Sequence, residues 1–130
     1  MPARPGFEEE TLRAKLTDPK ASAADQSRLS RAIAWYRRLQ AGHRIELSAL
    51  RLGPARVLHM PGELFIEYQL AAQQMRPAEF QAMAAYGDYG PSYIGTEISY
   101  GQGGYETDRV SFVGPRVEKV LLDALRALTA

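Results

Sequence analysis

The stretch ARVLHMPGELFIEYQLAAQQMRPAEFQAMAAY, residues 55–86, decides the fold. Residues 55–59 read as a strand, and Pro61-Gly62 breaks it. Residues 64–75 are a run of good helix formers, closed by Arg76-Pro77 because the residue before a proline is pushed out of the helical region. Residues 80–86 then read as a second, buried strand. If the two strands run parallel, the helix between them is a crossover, and the class is α/β with strands alternating with helices.

Upstream of this unit, Ile45, Leu47, Leu50 and Leu52 mark a strand with a local irregularity, ended by Gly53-Pro54. Residues 1–44 form a polar, helical N-terminal segment set apart from residues 45–130. Within it, Leu12 and Leu16 are the apolar points of a short helix that Asp18-Pro19 terminates. A second helix begins near Ser22 to Asp25 and runs to Gln40. Leu29, Ile33, Tyr36 and Leu39 fall near helical spacing along it, and Gly42 offers its stop. Trp35 and Tyr36 read as packing residues rather than a stacking platform, since no repeated basic and aromatic pattern accompanies them.

Downstream, residues 87–104 contain six glycines together with Tyr89, Tyr93 and Tyr100, which reads as an ordered glycine- and tyrosine-rich loop. Residues 115–128 give the clearest amphipathic helix: Val117, Val120, Leu121, Ala124, Leu125 and Leu128 recur at i, i+3, i+4 and i+7, with Pro115 suited to the opening position. The whole reads as a partial α/β domain that ends in this helix.

Composition narrows the partners. Sixteen Lys and Arg against fifteen Asp and Glu leave a net charge of +1, too little for the broad positive field that draws nucleic acid. The absence of cysteine excludes disulfides and thiolate metal ligands. No apolar run approaches the roughly 20 residues of a transmembrane helix. The opening residues, with Glu8, Glu9 and Glu10 close behind Met1, have the wrong polarity for a signal peptide.

Glu63 follows Pro61-Gly62 at a strand-to-helix junction, where a rigid turn at the carboxyl end of a strand can hold a ligand-facing side chain. Spacing alone favours a plainer account, an acidic residue in a first helical turn favoured by the helix dipole. Gly101-Gln102-Gly103-Gly104 matches neither the dinucleotide fingerprint nor the Walker pattern. His43 and His59 lack persuasive ligand spacing, and no G-x-S-x-G motif marks a nucleophilic serine.

Compared as whole segments, Met60-Pro61-Gly62-Glu63-Leu64-Phe65-Ile66-Glu67-Tyr68 resembles the P-G-E-x-F-x-E segment of the neutral and alkaline ceramidase family, particularly its shorter bacterial members. Tyr93-Ile94-Gly95-Thr96-Glu97-Ile98-Ser99-Tyr100, followed by Gly103-Gly104-Tyr105-Glu106, resembles a second segment of that family, in the same order and at a similar separation. The likeness runs from about Leu50 to Leu128. It implies a catalytic zinc held by two histidines, a glutamate and a tyrosine, which hydrolyses an amide through an activated water. Carried over by position, Glu63 would be the carboxylate ligand and Tyr105 the phenolate ligand. Tyr93, Thr96 and Tyr100 are candidates to line the substrate cleft, with loop packing as the alternative for each.

The family's two histidine ligands belong to an N-terminal half without a counterpart in these residues. The resemblance therefore implies a C-terminal part of a catalytic domain that binds zinc poorly and is inactive alone. The complete protein would take an N-acyl or lipid amide substrate, with a sphingolipid amide as a candidate; full-length relatives are often exported. A second class of function stands beside this one: a non-catalytic α/β module that self-associates through the sheet edge and helix faces the other half would have covered.

Overall fold

Ser22 opens the longest helix by accepting a hydrogen bond from the Asp25 N–H at 3.1 Å, an N-cap of the usual kind. That helix, α2, spans Ala23–Gln40, and Gly42 ends it with φ +76. The His43 N–H reaches back to the Arg38 carbonyl and the Gly42 N–H to Leu39, the paired bonds of a Schellman stop. Its shorter partner α1, Glu9–Leu16, carries acidic residues in its first turn and basic ones in its last, as the dipole favours. The computed structural model describes residues 1–87 and 90–130; Asp88 and Tyr89, which fall in the expected loop, lie outside the described residues.

The architecture is α/β. A three-stranded sheet has the order β1-β2-β4, built from β1 (Ser48–Leu52), β2 (Ala55–Pro61) and β4 (Phe80–Gly87). β1 is antiparallel to β2 through the turn at Gly53-Pro54. β2 and β4 are parallel, joined by the crossover helix α3 (Ile66–Met75). A two-stranded parallel pair, β3 (Glu63–Leu64) with β5 (Tyr93–Ile94), continues from the end of β2. A short helix α4 (Glu97–Gln102), a π-helical turn at Tyr105–Val110 and the final helix α5 (Val117–Thr129) complete the chain.

Three expectations are corrected. The first strand is regular and starts at Ser48, so the irregularity lies in the segment 43–47 before it. β4 is not a buried strand but an edge, with Phe80 and Tyr86 68% and 77% exposed; alanines at positions 82, 84 and 85 are small enough to pass for core. The glycine- and tyrosine-rich stretch is ordered but not all loop. Ile94 is fully buried in β5, and Thr96 caps α4 by accepting from the Ser99 N–H at 3.3 Å.

The main core joins Leu58 and Met60 of β2, Tyr68 and Ala72 of α3, Ile94, and Val117, Leu121 and Leu125 of α5. All of these lie on one face of the sheet, since Arg56, Leu58 and Met60 alternate to the same side. On the opposite face, the register places Leu52, Ala55 and Phe80 in one row and Leu50, Val57 and Ala82 in the next. Leu50, Leu52 and Phe80 there are all more than half exposed. Parallel strands are normally covered on both sides, so an apolar open face is unusual.

The N-terminal helices pack on a second cluster in which Phe7, Leu12, Leu29 and Ile33 meet Phe112. Trp35 packs against both clusters, its ring 6.0 Å from that of Phe112. Two guanidinium groups fasten the last turn of α5. Arg56, almost wholly buried, donates to the Leu128 carbonyl at 2.7 Å and pairs with Glu79 at 3.4 Å. Arg76 donates to the Thr129 carbonyl at 2.7 Å and to that of Ala130 at 3.1 Å.

Candidate functional site

Pro61 pairs with Gly87 at the carboxyl ends of the two parallel strands, and there the chain turns sharply through Gly62 at φ +68. A side chain at Gly62 would put Cβ 2.7 Å from the Ser92 carbonyl oxygen. One at Gly90 would put it 2.2 Å from the Gly62 Cα. The two backbones therefore cross in direct contact, and only glycine fits at either position. The turn delivers Glu63, whose N–H donates to the Ser92 carbonyl at 2.9 Å and whose side chain is half-buried.

Two residues beside this turn hold left-handed backbone conformations without being glycine: Tyr86 and Ser92, both at φ +67. The Tyr86 N–H donates to the Gly62 carbonyl at 2.7 Å, and Ser92 supplies the acceptor for Glu63. Strain of order 1–3 kcal/mol at each is thus concentrated on the segment that positions one carboxylate, a distribution associated with functional sites.

Glu63 and Tyr93 are register partners of the parallel pair. The Glu63 carboxylate raises the Tyr93 pKa above the ordinary tyrosine value, through side-chain hydrogen bonding first and its charge second; Tyr86 and Glu106 add smaller pushes in the same direction. Tyr105 opens the π-helical turn, in which the Ser111 N–H reaches five residues back to the Glu106 carbonyl at 3.0 Å. Its ring meets that of Tyr93 edge-on at 6.4 Å and is 57% exposed. Tyr93 thus neighbours both Glu63 and Tyr105, but these two line different cavities, Tyr105 facing one with Arg4, Arg28 and Asp108. Beside Glu63 is a groove of about 440 Å³, walled by Arg31, Trp35 and Arg38 of α2 and by Ser92 and Phe112.

The other residues singled out from sequence are engaged elsewhere. Besides capping α4, Thr96 accepts through its carbonyl from the Ser99 hydroxyl at 2.7 Å. The Tyr100 hydroxyl pairs with that of Ser111 at 2.8 Å; its ring packs on the main core, and burial raises its pKa. Arg38 donates to Nε2 of His43 at 2.6 Å, and the His59 imidazole lies tightly against Gly87.

Among the described residues, no group of three or more His, Asp or Glu could hold a metal ion. Glu63 and Tyr105 offer two oxygen donors, whereas zinc sites take three or four from protein. By donor chemistry alone they would be at most a part of such a set. Sequence reasoning did not find Tyr86 and Ser92, whose backbone geometry has no composition signal, or the part Tyr93 plays between Glu63 and Tyr105. No family model, curated protein or solved structure matches this chain. Among the described residues, no helix is long and apolar enough to cross a membrane.

Proposed function

We propose that this chain is the C-terminal part of a zinc-dependent amidase domain of the neutral ceramidase type, acting in its complete form on an N-acyl bond. One observation carries the reading: Tyr93 is the register partner of Glu63, feels its carboxylate, and meets the ring of Tyr105, the residue carried over from the second sequence segment. Bound zinc would supply Lewis-acid polarisation of a carbonyl and activation of water. The chain's own part is to present Glu63 from a turn too tight to move and Tyr105 from the π-helical turn whose first ring meets Tyr93. Tyr93, whose neutral phenol the Glu63 carboxylate favours, offers a hydroxyl beside both. With only two ligands, the chain alone binds zinc weakly.

The test is a zinc titration of the isotope-labelled chain followed by NMR. Tyr105 and Tyr93 ring signals shift first, and Glu63→Ala or Tyr105→Phe removes the response. Shifts confined to His43 or His59, or none, would end the reading.

The open sheet face favours a second reading, a non-catalytic module that self-associates. Leu50, Leu52 and Phe80 lie more than half exposed on a face with an unpaired strand at each edge. Light scattering across a concentration series should then show a dimer that the double substitution Leu50→Glu, Phe80→Glu converts to monomer. A wild-type chain that stays monomeric at every concentration would rule it out.

A further inference from the structure

Between the end of α2, the segment 43–47 and α5 lies a pocket of about 250 Å³, which adjoins the groove beside Glu63 across Trp35 and Arg38, residues that line both. Its wall is apolar, formed by Trp35, Leu39, Ile45, Leu47 and Leu121. The charged side chains lining it, Arg38 and Arg44, are both cationic; His43 is a polar neighbour, and no carboxylate lines the pocket. In a chain whose acidic and basic residues nearly balance, that bias comes from arrangement rather than composition. Arg38 and His43 are held to each other by their hydrogen bond, while Arg44 is exposed and has no acidic partner among the described residues.

We propose that this pocket binds a single-chain carboxylate, its alkyl tail lying against Trp35 and the leucines and its carboxylate meeting the Arg38 and Arg44 end. The apolar wall selects a tail, and the basic end selects the sign of the head. A guanidinium suits a carboxylate because its planar fork can give two parallel hydrogen bonds. Neither candidate zinc ligand lines this pocket, so the inference stands whether or not the zinc reading does.

Trp35 is the only tryptophan and part of the pocket wall, so the fluorescence of the whole chain reports occupancy. Titration with monomeric hexanoate and octanoate gives saturable changes, with octanoate binding about 15-fold more tightly, since each added methylene contributes about fourfold. Octyltrimethylammonium binds at least tenfold more weakly than octanoate. Arg44→Gln, at an exposed position, lowers octanoate affinity at least fivefold with an unchanged circular dichroism spectrum. Leu47→Glu abolishes binding, and Glu63→Gln leaves it unchanged.

The proposal is overturned by the absence of saturation, by equal binding of the octyl cation, or by an Arg44→Gln variant that binds as wild type does. A loss caused by Glu63→Gln would also overturn it, placing the ligand in the neighbouring groove. So would a response to anionic phosphatidylglycerol vesicles without one to monomeric octanoate. Because these measurements contain no zinc, their failure and that of the metal titration are separable.

Discussion

Replacing Gly62 with alanine tests whether the turn that carries Glu63 is fixed by contact or only by backbone preference. Two costs arise. An L-residue at φ +68 loses roughly 1–2 kcal/mol from the left-handed conformation alone. The new methyl would also lie 2.7 Å from the Ser92 carbonyl oxygen and 3.0 Å from Cδ1 of Ile94, a side chain with no exposure. Relief requires Ser92 to move, and its carbonyl is the acceptor for the Glu63 N–H; losing that bond costs about 1 kcal/mol more. Disturbing Ile94 in the core adds to this, so the total is about 3 kcal/mol. Gly42→Ala is the control, because Gly42 has φ +76 and a methyl added there would meet nothing within 4 Å, leaving only the backbone cost. Urea unfolding followed by Trp35 fluorescence and by circular dichroism gives both values. A Gly62→Ala variant no less stable than Gly42→Ala would refute the contact argument.

Leu125→Ala, which empties a site with no solvent exposure beneath α3, should cost about 2–5 kcal/mol by denaturant midpoint; a loss under about 1 kcal/mol would mean the α3–α5 packing is wrong. Glu9 is bonded first by Arg37 of α2 and then by Arg13, which hold its pKa at about 2, against an ordinary value of about 4.3. The unfolded chain takes up that proton more readily, so the contribution of Glu9 is complete above about pH 4.3 and lost as the pH falls toward 2. Glu9→Gln should therefore show a smaller drop in urea midpoint than wild type across that window, and parallel curves would contradict the assignment.

Much of the fold was legible because its signals are local and periodic. Pro61-Gly62 and Arg76-Pro77 bracket the crossover helix, and the parallel pairing of β2 with β4 follows from the helix between them. The stripe along α5 buries Val117, Leu121 and Leu125 as the i, i+4, i+8 spacing requires. What failed was non-local. Whether β4 is a core or an edge strand depends on what lies beside it, and its alanines read alike in both settings. β5 is two residues long, too short for any alternation, and exists because Glu63 and Leu64 present an edge to it. At the candidate site, the glycine turn and its glutamate could be found from sequence. The left-handed Tyr86 and Ser92 could not, because the surrounding contacts impose their conformations rather than any preference of tyrosine or serine.

The two guanidinium anchors of α5 bear on how this molecule can assemble during synthesis. Arg56 enters the growing chain 72 residues before the carbonyl it serves, and Arg76 precedes Thr129 by 53. Until α5 emerges, a nearly buried cation on the central strand has no backbone acceptor there, and Leu58 and Met60 beside it have no helix α5 to close over them. Vectorial folding from the N-terminus can therefore build the α1–α2 pair and the β1–β2 hairpin, but the sheet must wait, half-wetted, for the last helix to arrive.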